Sequence, residues 1–183
     1  MSRPSKILVA GIGNIFLGDD AFGSEVARRL MSERLPPEVR VIDFGIRTYD
    51  LAYAIMDGYD VTILIDITAQ GQAPGTVYLI EPDLNEAGNP GSGGASPYPA
   101  DANLADAHSM SPARMLQMLH RFGNSSGKLY LIGCEPAILE VEDGQIGMSE
   151  TVEKAVPQAI EWVKTLLDDL LKENAKKKEV ETI

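Results

Sequence analysis

The stretch Ile7–Gly23, ILVAGIGNIFLGDDAFG, joins an apolar run to the start of a helical pattern through a turn that holds glycines and two acids. The run is apolar throughout, as is typical of a strand that is covered by helices on both faces of a sheet. After the turn, apolar residues recur every three or four positions, which indicates a helix with one buried side. The stretch therefore predicts a strand, a tight turn and a helix, the beginning of a crossover unit.

Short runs rich in Val and Ile continue to alternate with helical patterns along the rest of the chain. We expect five strands, at Lys6–Gly11, Val39–Phe44, Val61–Ile67, Thr76–Glu81 and Lys128–Gly133. We expect helices at Asp20–Leu35, Tyr49–Asp57 and Ser111–Phe122, and a last helix that carries Val152, Val156, Ala159, Val163, Leu166 and Leu170 on one stripe. Pro157 should bend this last helix or mark its start. The pattern predicts a single three-layer α/β domain over residues 1–173, built on a mostly parallel twisted sheet of about five strands with helices on both faces.

Three further segments have distinctive compositions. Pro82–Ala107 is rich in Gly and Pro and predicts a long loop, and loops of this length inside a compact domain are usually functional or mobile. Asp143-Gly144, within Glu142–Gln145, predicts a tight hairpin. Residues 174–183 are strongly charged and are expected to form a disordered tail.

The overall composition restricts the class of function. The 183 residues carry 27 acids against 16 basic residues, a formal net charge of −11, which argues against nucleic acid as a partner. The single cysteine, Cys134, cannot form an intramolecular disulfide, and neither a secretory signal nor a membrane-spanning run is visible. We therefore expect a cytoplasmic protein with no membrane association. The sequence does not indicate its oligomeric state.

Candidate functional residues follow the predicted strands, because open parallel sheets bind ligands at the carboxyl ends of their strands. Asp20 opens the first helix and could simply cap it, although with Asp19 beside it one acid would suffice as a cap. Asp66 follows a nearly unbroken apolar strand, so its carboxylate must be paired, hydrogen-bonded or bound to a cation. His108 follows the Gly- and Pro-rich loop, whereas the other histidine, His120, lies inside a predicted helix.

Two carboxylates and one imidazole suit a divalent first-row metal, and the imidazole favours Zn, Ni, Cu or Fe over Mg or Ca. Three protein ligands would leave positions open for substrate or water. Asp20, Asp66 and His108 come from separate segments, so their spacing alone does not show that they meet.

Other patterns are weaker. Gly11-x-Gly13 after a strand is an incomplete dinucleotide fingerprint, because position 16 is Phe. Cys134 ends a strand and could be a nucleophile, although unpaired cysteines are mostly small buried apolar residues. Neither Gly-x-Ser-x-Gly nor His-Glu-x-x-His occurs, so serine-hydrolase and zincin chemistry lack their usual motifs.

The opening stretch closely resembles that of the hydrogenase maturation endopeptidases. Further matches follow in the family's order: Val41-Ile-Asp-Phe-Gly45, Leu64-Ile-Asp66, His108-Ser-Met-Ser-Pro112 and Gly133-Cys-Glu-Pro136. Together the matches span about residues 6 to 165. Two departures are the missing later glycine after Asp43 and a loop before His108 that looks longer than usual.

The resemblance implies a function. Members of this family trim the C-terminal extension from the large-subunit precursor of nickel-iron hydrogenases. The family's metal-binding positions fall on Asp20, Asp66 and His108, which implies that these residues contact nickel held in the precursor rather than nickel kept as a permanent cofactor. The sequence does not indicate whether metal is bound without substrate. Asp43 is a further carboxylate that could lie nearby. A non-catalytic nickel-sensing or chaperone module on the same fold is the alternative, because the same ligands would serve binding alone.

Overall fold

The computed structural model of the chain describes residues 5–81, 127–138 and 147–181, with side chains up to residue 176. Five strands in this part of the chain form one sheet: β1 (Ile7–Ile12), β2 (Val39–Gly45), β3 (Val61–Ile67), β4 (Val77–Ile80) and β5 (Lys128–Cys134). Their order is β2-β1-β3-β5-β4, and only β4 runs antiparallel to its neighbour. The mostly parallel five-stranded sheet expected from the sequence is confirmed.

Helices cover both faces of this sheet. The described helices are α1 (Phe22–Met31), α2 (Thr48–Met56) and α3 (Glu150–Glu181), and a short 3-10 helix at Gly18–Ala21 precedes α1. Side chains alternate between the faces along β1: Ile7 and Val9 pack in the core beneath α1 and α3, whereas Leu8 and Ala10 pack beneath α2. The expected three-layer arrangement is therefore confirmed.

Two glycines allow α1 to lie directly on the sheet. A Cβ added at Gly11 would lie 2.4 Å from the carbonyl oxygen of Gly23 and 2.5 Å from the Cβ of Ala27. A Cβ added at Gly23 would lie 2.2 Å from the carbonyl oxygen of Ile12 and 2.1 Å from that of Ile65. The glycines of the opening stretch thus serve close backbone packing, which accounts for the partial likeness to a dinucleotide fingerprint.

The first two helices begin and end away from their predicted limits. The expected helix Asp20–Leu35 is a 3-10 turn followed by α1, which ends at Met31. The residues before Pro36 leave the helix early, in keeping with the bias of positions before proline against helical conformation. The second helix is shifted by one residue from Tyr49–Asp57.

The last helix is longer than expected. It begins at Glu150 and runs past Pro157, so the alternative that this proline marks its start is wrong. It continues through Glu181, so its backbone is helical over residues 174–181, where the sequence predicts a disordered tail. Ala, Lys and Glu are strong helix formers, and they can extend a helix without tertiary contacts.

Several predicted features lie outside the described residues. These are the loop Pro82–Ala107, the helix Ser111–Phe122, the hairpin at Glu142–Gln145, and both histidines, His108 and His120. In the described part of the chain, no helix combines the length and the apolar character that crossing a bilayer requires.

Replacing Gly23 by alanine should strongly destabilise the fold. Its backbone has no positive φ, so the cost comes from the clash with the carbonyl oxygens of Ile12 and Ile65 and should be about 3 kcal/mol or more. Gly58→Ala is the control: Gly58 has φ +82° and nothing within 4 Å of an added Cβ, so backbone strain alone should cost about 1–2 kcal/mol. Urea denaturation measures both. A smaller loss for Gly23→Ala than for Gly58→Ala would contradict this packing arrangement.

Candidate active site at the carboxyl edge of the sheet

The carboxyl ends of β1, β2, β3 and β5 meet at one edge of the sheet, because these strands are mutually parallel. Acidic residues stand at or just beyond each strand end. They are Asp19 and Asp20 after β1, Asp43 in β2, Asp66 in β3 and Glu135 after β5. These acids differ in the number of hydrogen bonds that their carboxylates accept, and therefore in their capacity to bind a further ligand.

Asp66 is the most buried of the acids proposed from the sequence as ligands. Its residue is 7% exposed, and its Oδ1 accepts one hydrogen bond, from the backbone N–H of Ile67 at 2.8 Å. Burial, together with the negative charge of Asp20, raises the pKa of Asp66 to about 8, and the Ile67 hydrogen bond offsets only part of this shift. Burial thus favours the protonated form of this side chain.

Asp20 lies in the 3-10 turn, close enough to Asp66 for its negative charge to raise the pKa of Asp66. Its Oδ2 accepts a 2.7 Å hydrogen bond from the backbone N–H of Asn14. Burial raises the pKa of Asp20, and the Asn14 hydrogen bond opposes the shift. No side-chain capping bond is found at the start of α1, so the interpretation of either acid as the cap of this helix is wrong.

The structure thus brings Asp20 and Asp66 together but does not include His108, which lies outside the described residues. Within residues 5–81, 127–138 and 147–176, no Lys, Arg or His forms an ion pair with either acid. The same residues contain no group of three metal-ligating side chains. Among the described residues, no positive charge neutralises this pair of acids, and a bound cation would reduce the repulsion between their carboxylates.

Asp43 lies in β2, which is separated from β3 by β1. It is in register with Gly11, and Gly11 is in register with Ile65, so Asp43 shares the sheet face of Ile65, the residue before Asp66. Its Oδ1 accepts a hydrogen bond from the backbone N–H of Gly45 at 3.0 Å. Alternation along a strand therefore points Asp43 and Asp66 toward opposite faces of the sheet.

Asp19 has a role that the sequence did not reveal. It is fully buried, and its Oδ2 accepts hydrogen bonds from the backbone N–H groups of Ala137 at 2.8 Å and Ile138 at 2.9 Å. Its Oδ1 accepts another from the N–H of Ser149 at 2.6 Å. Asp19 thus connects the 3-10 turn to the segment after β5 and to the residue that precedes α3.

Glu135 plays a similar part beside β3. Its carboxylate accepts hydrogen bonds from the N–H groups of Gln70 at 2.7 Å and Gly71 at 3.1 Å, and from the hydroxyl of Tyr78. Burial alone would raise the pKa of Glu135, but these hydrogen bonds, with one from the N–H of Gln72, lower it overall. Sequence reasoning assigned Glu135 no role, because an acid after a strand carries no local sign of its distant donors.

Cys134 does not have the properties of a nucleophile. It is fully buried at the end of β5. Burial, with smaller effects of the charges on Asp19 and Glu135, raises the pKa of its thiol to about 12, which disfavours the reactive thiolate.

Comparison with known proteins identifies the family of this chain. The sequence profile of the hydrogenase maturation proteases matches residues 24–87 and 98–166. A Methanocaldococcus jannaschii protein assigned to these proteases is 35% identical over 162 residues, which cover 88% of this chain and 96% of that protein. The hydrogenase 2 maturation protease of Escherichia coli is 29% identical over 159 residues, covering 86% and 88% of the two chains.

Solved structures agree with the sequence comparison. The hydrogenase maturating endopeptidase HybD of Escherichia coli superposes with a TM-score of 0.67 at 26% identity, over 90% of this chain and 93% of that one. The fold is that of a three-layer α/β protein, and the candidate site is the acidic edge at the strand ends. The chain belongs to the hydrogenase maturation protease family, and its role is in hydrogenase maturation.

Substituting Asp66 by asparagine should make stability less dependent on pH. The unfolded chain releases the Asp66 proton near pH 4, whereas the folded chain keeps it up to about pH 8. The wild-type protein therefore loses stability as the pH rises between these two values. The asparagine side chain cannot ionise, and the Asp66→Asn variant should gain on the wild type by on the order of 1 kcal/mol per pH unit there. Thermal unfolding from pH 5 to pH 8.5 measures the difference, and a constant difference would contradict the shifted pKa.

Proposed function

We propose that the chain is an endopeptidase that removes the C-terminal extension from the large-subunit precursor of a nickel-iron hydrogenase after nickel has been inserted. In this proposal Asp20, Asp66 and His108 bind the nickel that the precursor carries. The metal belongs to the substrate, and cleavage depends on its presence. Membership of the protease family supports the reaction, and the acidic pair supports the mode of recognition.

The observation that carries the proposal is the pairing of Asp20 with Asp66 at the carboxyl edge. A buried carboxylate and a partly buried one near each other, with one backbone donor apiece, are costly unless a proton or a cation joins them. A divalent metal would replace the proton on Asp66 and relieve the repulsion. Carboxylate oxygens are suitable ligands for first-row metals, particularly when an imidazole completes the set.

His108 enters the proposal through the family resemblance. It lies inside the second segment that matches the family's sequence profile, residues 98–166. An imidazole beside two carboxylates shifts the preference from Mg and Ca toward metals such as nickel. Three ligands from the protease would add to those that the precursor already supplies.

Binding the substrate's nickel would do two things chemically. It would place the precursor so that the scissile peptide lies at the acidic edge, which lowers the entropic cost of reaction. The metal could also polarise the scissile carbonyl or a water molecule. Precursor without nickel would lack both effects and would escape cleavage.

Exposed apolar side chains beside the acids suit a protein substrate. Ile15, Phe16 and Leu17 form the turn between β1 and the 3-10 helix and are 48%, 65% and 45% exposed. Three consecutive exposed apolar residues, a few positions from Asp20, form a patch of the kind that marks protein contacts. We assign this turn to precursor docking.

Substitutions of the proposed ligands should abolish nickel-dependent cleavage. Asp20→Asn, Asp66→Asn and His108→Ala should each lower kcat/KM for nickel-loaded precursor by about 100-fold or more, an effect of the size expected for lost positioning. The exposed Asp57→Asn serves as a control for the loss of one acidic charge. Mass spectrometry of the released extension, with nickel-loaded and nickel-free precursor, measures cleavage.

Full processing by His108→Ala would remove that residue from the proposal. Equal cleavage of nickel-free precursor by the wild type would overturn metal recognition altogether. Tight binding of the loaded precursor with no released peptide would instead favour the non-catalytic nickel-sensing or chaperone module.

Replacing Phe16 by serine should weaken docking without changing chemistry. Loss of an exposed aromatic contact should raise KM for the precursor about tenfold, leaving kcat and thermal stability near wild type. Met31→Ser is a matched control, because Met31 is 58% exposed but ends α1, which leads back toward the opposite edge of the sheet. Steady-state kinetics on both variants test the assignment. An unchanged KM for Phe16→Ser, or an equal rise for Met31→Ser, would contradict it.

A further inference from the structure

Asp20 is placed by a short turn, and short turns seldom hold a side chain rigidly without help. The 3-10 helix that contains Asp20 has four residues, Gly18–Ala21, and no side chain caps it. A metal ligand must nevertheless be held within about half an ångström of its working position. Some neighbouring contact must therefore fix this turn.

One side of the turn rests on the backbone where the chain leaves β1. A Cβ added at Gly13 would lie 1.8 Å from the carbonyl oxygen of Asp20, so the two backbones are in direct contact. The Asn14 N–H then donates to the Asp20 carboxylate at 2.7 Å. These contacts prevent the turn from moving inward, but they do not hold it against the sheet from the other side.

The other side of the turn is held by Asp19. Its two oxygens accept three backbone hydrogen bonds, from Ala137, Ile138 and Ser149, at 2.6 to 2.9 Å. Ser149 itself precedes α3, and its Oγ accepts a hydrogen bond from the N–H of Val152 at 3.4 Å. The Asp19 carboxylate thus sits at the positive end of a 32-residue helix, where a negative charge is stabilised.

The segment 134–138, which donates hydrogen bonds to Asp19, is also hydrogen-bonded to the chain that follows Asp66. The backbone N–H of Thr68 donates to the carbonyl of Cys134 at 2.9 Å, and that of Glu135 donates to the carbonyl of Thr76 at 2.8 Å. The Glu135 side chain holds the backbone of residues 70 and 71. The segment 134–138 is therefore a common support for the turn with Asp20 and for the strand end with Asp66.

We propose that Asp19 is a positioning residue: by anchoring the Gly18–Ala21 turn to residues 137–138 and to the start of α3, it sets the place of the Asp20 carboxylate relative to Asp66. This role rests on the proposed function for its effect on catalysis, because the benefit of a fixed distance is the shared grip on the substrate's metal. The anchoring itself is a property of the free protein.

Asp19→Asn tests the proposal with little change in volume. An amide offers one acceptor oxygen, and its NH2 group cannot accept the remaining N–H groups, so part of the anchor is lost. The variant will lose stability for that reason alone. A control of equal stability is therefore needed, and Leu167→Ala or Val163→Ala in the α3 core provides it, whichever matches in urea denaturation. Leu167 lies about 25 Å along α3 from its start, far from the acidic edge.

The first measurement needs no substrate. Hydrogen exchange followed by NMR reports on the Asn14 N–H, whose partner is the Asp20 carboxylate. If Asp19 fixes the turn, this N–H should exchange about tenfold faster or more in Asp19→Asn than in the stability-matched control, because the turn then opens locally. Equal exchange rates in the two variants would overturn the proposal, and this outcome does not depend on which reaction the protein catalyses.

The second measurement connects the anchor to recognition. The affinity for nickel-loaded precursor, divided by that for nickel-free precursor, isolates the contribution of the metal. This ratio should fall about tenfold or more in Asp19→Asn, as expected when the support of a metal ligand is lost, and stay at the wild-type value in the control. An unchanged ratio in Asp19→Asn would overturn its positioning role, whereas a ratio of one in the wild type would overturn the proposed function and leave the exchange result to decide the anchoring.

Discussion

The site depends on direct backbone contact between the end of β1 and the turn that follows it. Gly13 lies against the carbonyl of Asp20, and Gly23 lies against the carbonyls of Ile12 and Ile65, at separations that leave no room for a Cβ. These contacts bring the start of α1 onto the carboxyl edge of the sheet. Without them, Asp20 would stand away from β3 and could not bind a metal jointly with Asp66, as the proposed function requires.

Four of the five acids at this edge fall into two pairs with contrasting surroundings. Asp19 and Glu135 each accept at least three hydrogen bonds, and both fasten segments of the chain together. Asp20 and Asp66 accept one backbone hydrogen bond each. Acids whose oxygens are saturated by the protein serve the fold, and those left with free lone pairs are available to a substrate. The division follows from hydrogen-bond counts and requires no knowledge of the reaction.

The sequence predicted the sheet well because each strand is a local apolar run, and Val61–Ile67 was located to the residue. It also selected Asp20 and Asp66, since acids that follow buried strands have few structural explanations. It could not separate Asp19 from Asp20. The donors to Asp19 lie more than a hundred residues away, at Ala137, Ile138 and Ser149. The residues around Asp19 in the sequence give no indication of them. The helix ends differ from the predicted ones by a few residues, because a periodic apolar pattern does not mark where the first or last turn begins.

The proposed function requires contact between this chain and the nickel of a hydrogenase precursor. Nickel K-edge X-ray absorption detects such contact, on nickel-loaded precursor alone and on precursor mixed with the protein and frozen before turnover. We expect mixing to add oxygen or nitrogen ligands to the nickel, and we expect Asp66→Asn to reduce the change. Identical spectra before and after mixing, under conditions where the two proteins bind, would contradict contact with the nickel.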